Sequence, residues 1–147
     1  MVETLVSVLL LSFILAGAYG TAATGNAIYT KNFVLLNMEQ QTRNAIDRIV
    51  RETRQASSQT ITANFSGTND KIVFTIPTAT GIQYYLSGTN LVREYPAGTT
   101  RNIASNISLL KFILSGSLLQ IQVNADKTVY SQTVSFPLTE KVRLRNE

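Results

Sequence analysis

Residues 1–56 read MVETLVSVLLLSFILAGAYGTAATGNAIYTKNFVLLNMEQQTRNAIDRIVRETRQA, and the reading of this stretch decides the fold. Between Thr4 and Thr30 there is no charged residue, and Glu3 is the one charge before Lys31. Leu5 to Ala18 is nearly continuous apolar sequence, and with its neighbours it reaches the roughly 20 residues that cross a bilayer as a helix. All sides of such a helix are apolar, so its surroundings are lipid or other apolar helices. A secretory signal peptide competes for the same stretch, but it wants a basic start, and this chain starts Met-Val-Glu. A plain single-span anchor also remains open at this stage.

After Gly17, Gly20 and Gly25 the pattern turns amphipathic. Ile28, Leu35, Met38, Thr42, Ala45, Ile46, Ile49 and Val50 recur at steps of three and four, which makes one apolar stripe. Glu39, Arg43, Asp47 and Arg51 follow one another on the opposite face, with Arg48 and Glu52 beside them. Such spacings allow ion pairs worth a few tenths of a kcal/mol each. No proline occurs before Pro77. The expectation is one helix over about residues 1–56, roughly 80 Å long at 1.5 Å per residue, softened or interrupted around Gly17 to Gly25. A helix of that length exceeds what a domain of this size covers, so its first half is expected to protrude.

From Ser57 the period changes to two. Runs at 60–65, 71–76, 82–86, 91–95, 107–114, 118–123, 128–136 and 141–145 are β-branched or aromatic, and most alternate, as in Ile72, Phe74 and Ile76. Ser-Gly-Thr-Asn at 66–69 and 87–90, Ser115-Gly116-Ser117 and Asn124-Ala125-Asp126-Lys127 read as turns between them. These are antiparallel hairpins, and the one amphipathic element that can cover their apolar face is the stripe from Leu35 to Val50. The predicted class is α+β: a long protruding N-terminal helix, packed by its second half on an antiparallel β-sheet head. Residues 1–27 form the apolar helix, 28–56 the amphipathic helix and 57–147 the head.

Composition narrows the chemistry. The 147 residues include no cysteine and no histidine, which excludes a disulfide framework, thiolate or imidazole metal ligation, and histidine-dependent triads. Asp70, Glu94, Asp126, Glu140 and Glu147 are scattered and read as solvated surface, with no spacing that suggests a metal or an acid–base pair. No enzyme, metal or cofactor is expected. Thirteen Lys and Arg against nine Asp and Glu give a net charge of +4. Lys141, Arg143 and Arg145 alternate with inward Val142 and Leu144, and together with Arg93, Arg101 and Lys111 they compose a patch that attracts DNA or an acidic surface. Protection of an edge strand explains the same charges without a ligand. Asn64-Phe-Ser66 and Asn106-Ile-Ser108 are glycosylation-type sequons, a triplet that also arises by chance. Phe13, Tyr19, Tyr29 and Phe33 read as packing anchors rather than an electron path.

Glu3 is the sharpest feature. A carboxylate in apolar surroundings costs several kcal/mol unless it is neutralised or paired, and the next base along the helix, Lys31, is roughly 40 Å away. Glu3 either stays hydrated among lipid headgroups or takes a partner charge from another copy of the chain, such as the N-terminal amine of its Met1.

Met1-Val-Glu3-Thr-Leu5-Val-Ser-Val-Leu-Leu, followed by an apolar helix, a Gly/Ala-rich patch, an amphipathic helix and a sheet, resembles the type IV pilins and the pilin-like subunits of type II secretion systems. Residues 38–56, Gly81 to Leu86 with Thr89 to Arg93, and the ending Val142 to Asn146 look like the minor pilins of that family. The resemblance spans essentially the whole chain. In that family the mature chain starts with an N-methylated residue, usually phenylalanine, and carries glutamate at its fifth position; here the glutamate is third. The resemblance implies that Glu3 and Met1 serve assembly, and that Leu5, Val8, Leu9, Leu11, Phe13, Ile14 and Leu15 form the filament-core helix. Gly17, Gly20 and Gly25 occupy the region that family filaments unwind, while the family's helix-breaking proline is absent. It further implies a structural subunit of a bacterial filament, held in the inner membrane and then polymerised as a homo-oligomer. The finished filament is extracellular or periplasmic. Its partners are a prepilin peptidase and the pilus or secretion assembly machinery. A pseudopilin of a type II secretion system, or a membrane-anchored extracytoplasmic binding domain, are the alternatives.

Overall fold

The computed structural model describes residues 2–144 of the chain. One helix, α1, runs over Val2–Arg54. Eight strands follow: β1 (Ser58–Ser66), β2 (Asn69–Ile76), β3 (Ala79–Ser87), β4 (Asn90–Glu94), β5 (Thr100–Ala104), β6 (Ile107–Ser115), β7 (Leu118–Val129) and β8 (Gln132–Arg143). The expected α+β class holds. The chain divides into two compact units, Met1–Val34 and Leu35–Glu147, with α1 contributing to both.

In the first unit α1 is exposed on all sides as far as Asn26, as an all-apolar sequence without a stripe dictates, and Ala27, Thr30 and Val34 are half-buried. It passes through Gly17, Gly20 and Gly25 without a break, so the interruption expected there is absent from this helix. A glycine costs a helix interior only about 1 kcal/mol, and no proline interrupts the backbone hydrogen bonds on either side.

In the second unit the stripe behaves as its spacing dictates. Met38, Thr42, Ala45, Ile46, Ile49 and Thr53 are the buried residues of α1, spaced three or four apart except for the adjacent Ala45 and Ile46. Ile28 stays exposed and Leu35 and Val50 are half-buried, so the inner face begins later and ends later than the sequence pattern suggests. Burying a large aliphatic side chain fully is worth about 1.5–3 kcal/mol, and Ile46 and Ile49 are both fully buried. The last turn tightens: the Gln55 and Ala56 amides donate to Glu52 and Thr53 carbonyls three positions back, both at 3.1 Å. Arg51 and Arg54 lie in that turn and suit the negative end of the helix dipole.

The head contains two antiparallel sheets, one ordered β1-β2-β3-β4-β5 and the other β6-β7-β8. Three hairpins turn through Gly67-Thr68, Gly88-Thr89 and Gly116-Ser117, each with the glycine at positive φ (63°, 62° and 57°). A glycine at the first of two loop residues is what the type II′ turn requires. Ile72, Phe74, Ile82, Tyr84, Leu86 and Leu91 form the buried face of the five-stranded sheet, and Leu110, Phe112, Leu119, Ile121, Val123 and Ala125 that of the three-stranded one.

Two strand expectations need correction, and one strand was not anticipated. Asn124 to Lys127 is not a turn but the interior of β7, where Ala125 pairs with Phe136 and is fully buried. The predicted run 128–136 instead crosses the β7–β8 hairpin, whose loop is Tyr130-Ser131 at φ 48° and 62°. That loop has the backbone of a type I′ turn without the Asn-Gly that advertises one. Thr100–Ala104, to which the sequence pattern assigns no element, is a short edge strand paired with β4.

The two sheets are joined by side chains. Even-numbered amides of β6 face away from β7. Asn69 Oδ1 accepts the Leu110 amide at 2.9 Å and Asp70 Oδ2 accepts the Phe112 amide at 3.0 Å. The first two residues of β2 therefore close an edge that would otherwise present unpaired donors.

Candidate functional site

Two regions carry groups whose placement needs a reason: the apolar half of α1, and the charged cluster where α1 meets β3 to β5.

Along the apolar half, Leu5, Val8, Leu9, Leu11, Phe13, Ile14 and Leu15 are between 56% (Leu11) and 70% (Leu5, Phe13) exposed. Isolated exposed leucines are ordinary, but a continuous apolar surface wrapped around a helix marks an interaction site or a membrane segment. The helix is long and apolar enough to cross a membrane, and none of that window is buried. Five serine and threonine hydroxyls along it are turned inward on the helix itself. Ser7, Ser12, Thr21, Thr24 and Thr30 donate to the carbonyls of Glu3, Val8, Ala18, Gly20 and Asn26 at 2.8–2.9 Å. Back-bonding of this kind satisfies a polar group in a medium that offers no water. The Tyr29 and Phe33 rings stack at 6.4 Å, an ordinary i, i+4 pair.

Glu3 is exposed in the first turn, and among the described residues no ion pair includes it. A carboxylate there is favoured by the helix dipole by up to about 1 kcal/mol. Met1, expected to share the assembly role, lies outside the described residues.

The charged cluster was not legible as one site. Glu52, one of the polar-face residues, accepts the Tyr84 hydroxyl at 2.9 Å, and Arg93 Nε lies 3.1 Å from both of its oxygens. Arg48 Nε makes a longer contact at 3.3 Å. Burial, and then the charge of Glu52, push the Tyr84 phenol well above its ordinary range. At Arg93 burial opposes the charged form, but the Glu52 carboxylate more than offsets it and raises the pKa. The helix is thus fastened to β3 and β4 by ions as well as by its stripe, and Arg43 lies over the Phe136 ring of β8 at 5.6 Å.

These contacts dissolve the basic patch. Arg93 is spent on Glu52, and Lys111 is spent on Asp70 at 3.2 Å. Arg101, Lys141 and Arg143 remain exposed, Val142 and Leu144 point inward as expected, and Arg145 lies outside the described residues. The acids are also not all solvated surface. Asp70 is 4% exposed; desolvation would raise its pKa, but the Phe112 and Asn64 amides and then Lys111 outweigh it and hold the carboxyl below its ordinary value. Glu94 accepts the Gly98 amide and the Tyr85 hydroxyl, which lower its pKa in that order. Asp126 accepts the Ser108 and Asn124 side chains and its pKa is likewise lowered, Ser108 first. Glu140 is exposed as expected, and Glu147 lies outside the described residues.

Both sequon asparagines take the left-handed backbone, Asn64 at φ 54° and Asn106 at φ 61°. Asn64 is exposed, with its Oδ1 accepting from Lys111 at 3.2 Å. Next to Asn106, Ile107 is buried and the Ser108 hydroxyl is held by Asp126 and the Asn124 carbonyl.

The fold so described is a helix laid on two antiparallel sheets, with an apolar exposed half. Comparison with protein-family models, with curated proteins and with solved structures finds no match.

Proposed function

We propose that this chain is the structural subunit of a type IV pilus-like filament, held in the membrane through the first half of α1 and polymerised through that same segment. The observation that supports it best is the uninterrupted apolar surface of α1 from Val2 to about Gly25, which continues in one helix into a stripe buried by the head. A simple anchor needs the first part alone. A subunit that exchanges lipid for neighbouring helices needs an apolar segment that serves in both surroundings and is continuous with the helix of its head. In a bundle of such rods each copy buries again the area that lipid covered, at about 25 cal/mol per Å², so no covalent link is required. The self-satisfied hydroxyls of the rod serve equally in lipid and in a bundle.

Glu3 supplies direction in this reading. Its carboxylate pairs with the terminal amine of the next copy, which fixes the axial register of the incoming subunit before the apolar faces close. N-methylation of that amine and cleavage by a prepilin peptidase belong to the same proposal, as does a bacterial inner-membrane location before assembly. A pseudopilin of a type II secretion system shares every one of these features and differs in where its filament stands.

The test is the variant Glu3→Ala in full-length chain expressed with the assembly machinery. Membrane fractionation is expected to recover the variant at the wild-type level, while filaments pelleted from sheared cells fall at least tenfold. Equal filament yield from the variant would refute the pairing. A wild-type chain found only as membrane-bound monomer would point to the anchored extracytoplasmic domain instead.

A further inference from the structure

Around Glu52 the head has too little negative charge. Arg93 and Arg101 stand directly opposite each other on β4 and β5, and like charges in a cross-strand pair repel. Glu52 is committed to Arg93 and Tyr84, with Arg48 a third claimant on the same carboxylate. Arg101 has no acid partner among the described residues, and neither does Arg51 one turn further along α1. Arg48, Arg51 and Arg101, though not Arg93, line an open groove, one part of it on α1 alone and the other between α1 and β5. One part, of about 510 Å³, is bordered by Asn44, Asp47, Arg48, Arg51 and Glu52; a second, of about 200 Å³, shares Asn44 and Arg48 and adds Arg101 and Asn102. The groove holds guanidinium forks suited to bidentate capture of a carboxylate, with carboxamides beside them.

We infer that this groove is a docking site for a carboxylate of a second copy of the chain, and that the carboxylate is Glu140. Among the described head residues, Asp47 and Glu140 are the carboxylates with no hydrogen bond or ion pair, and Asp47 already lies in the groove. Glu140 is exposed on β8, the edge strand of the second sheet, while Arg101 is on β5, the edge strand of the first. Strand alternation puts Glu140 on the inward-turned face of β8, between Leu138 and Val142 and opposite Ile121, where it is nevertheless exposed, while Lys141 and Arg143 stand on the other face. A nucleic-acid backbone suits the groove less well: Asp47 and Glu52 interrupt its positive charge, and no aromatic ring lines it to stack a base. Because groove and carboxylate are different patches, the contact is heterologous and propagates from copy to copy rather than closing a dimer. This contact rests on the filament reading, for which it specifies a head-to-head partner surface separate from Glu3.

The chain has no cysteine, so introduced thiols report cleanly. Arg101→Cys with Glu140→Cys in one full-length chain, oxidised after assembly, is expected to give a ladder of dimers, trimers and larger species; either single variant gives none. Arg101→Glu and Glu140→Arg are each expected to cut filament yield at least tenfold, and the double charge reversal to restore it to within about twofold of wild type. Rescue by the double variant separates a lost contact from a misfolded head. Wild-type yield from both single reversals, no ladder in filaments that do form, or failure of the double reversal to rescue would each overturn the contact and leave the Glu3 reading standing. A wild-type chain that forms no polymer overturns both.

Discussion

Thr53 is fully buried on the inner face of α1, and its Oγ1 has no hydrogen-bond partner. A buried hydroxyl without a partner costs about 1–3 kcal/mol in lost hydration, and valine keeps the branched shape without the oxygen. Thr53→Val is therefore expected to raise stability by about 1 kcal/mol in denaturant titration; a lower midpoint would show that the hydroxyl is satisfied after all. Asp70 gives the opposite case. Its carboxylate accepts two backbone amides and Lys111, and its pKa is depressed in the folded state. A depressed carboxyl contributes stability that is fully present above its unfolded value, about 3.9, and that is lost as pH falls through the lower folded value. Asp70→Asn is expected to cost about 2–3 kcal/mol at neutral pH, the upper range for hydrogen bonds to a charged group. It should also flatten the acid limb of the stability curve. An unchanged acid limb in that variant would place the pH sensitivity elsewhere. Neither residue's role was legible beforehand. Asp70 follows a turn signal, and an acid beside a turn reads as surface; what buries it is β6, about forty residues later in the chain.

At the scale of elements, α1 illustrates both what periodicity conveys and where it stops. The three- and four-residue steps of Met38 to Ile49 name the buried face because a helix has only one way to present such residues to a sheet. The same steps put Glu52 at the margin of that face, and nothing local says that Arg93, 41 residues away, will meet it there. Glu52→Gln is expected to destabilise the head by about 3 kcal/mol, since it leaves Arg93 largely buried without a counter-charge; combining it with Arg93→Met should recover a good part of the loss. Additive losses in a double-mutant cycle would mean that the two groups are not coupled. Hairpins were legible where glycine stands at the turn and invisible where it does not. Ser131 holds φ 62° without being glycine, at a cost of roughly 1 kcal/mol. Ser131→Gly is expected to raise the melting temperature by a few degrees, and no change would argue that this turn relaxes in solution.

For the whole molecule, the apolar half of α1 and the head differ in composition and in burial. The apolar half of α1 carries one carboxylate at its tip and self-satisfied hydroxyls along its length, which suits lipid or a bundle of its own kind. The head carries a core shared by two sheets and a helix stripe, ionic ties at Glu52 and Asp70, and unpaired charges of both signs on different edges. Composition and periodicity made the division readable from sequence alone, because both are local properties. The pairing of charges was not, because it depends on which strands the fold brings side by side. The central claim is that the apolar rod ends among copies of itself. Electron microscopy of material sheared from cells producing this chain, with antibody against its head, tests that claim most directly. The account predicts labelled helical filaments from the wild-type chain and none from Glu3→Ala. Label confined to membrane, with no filament from the wild-type chain in the presence of an assembly system, would contradict it.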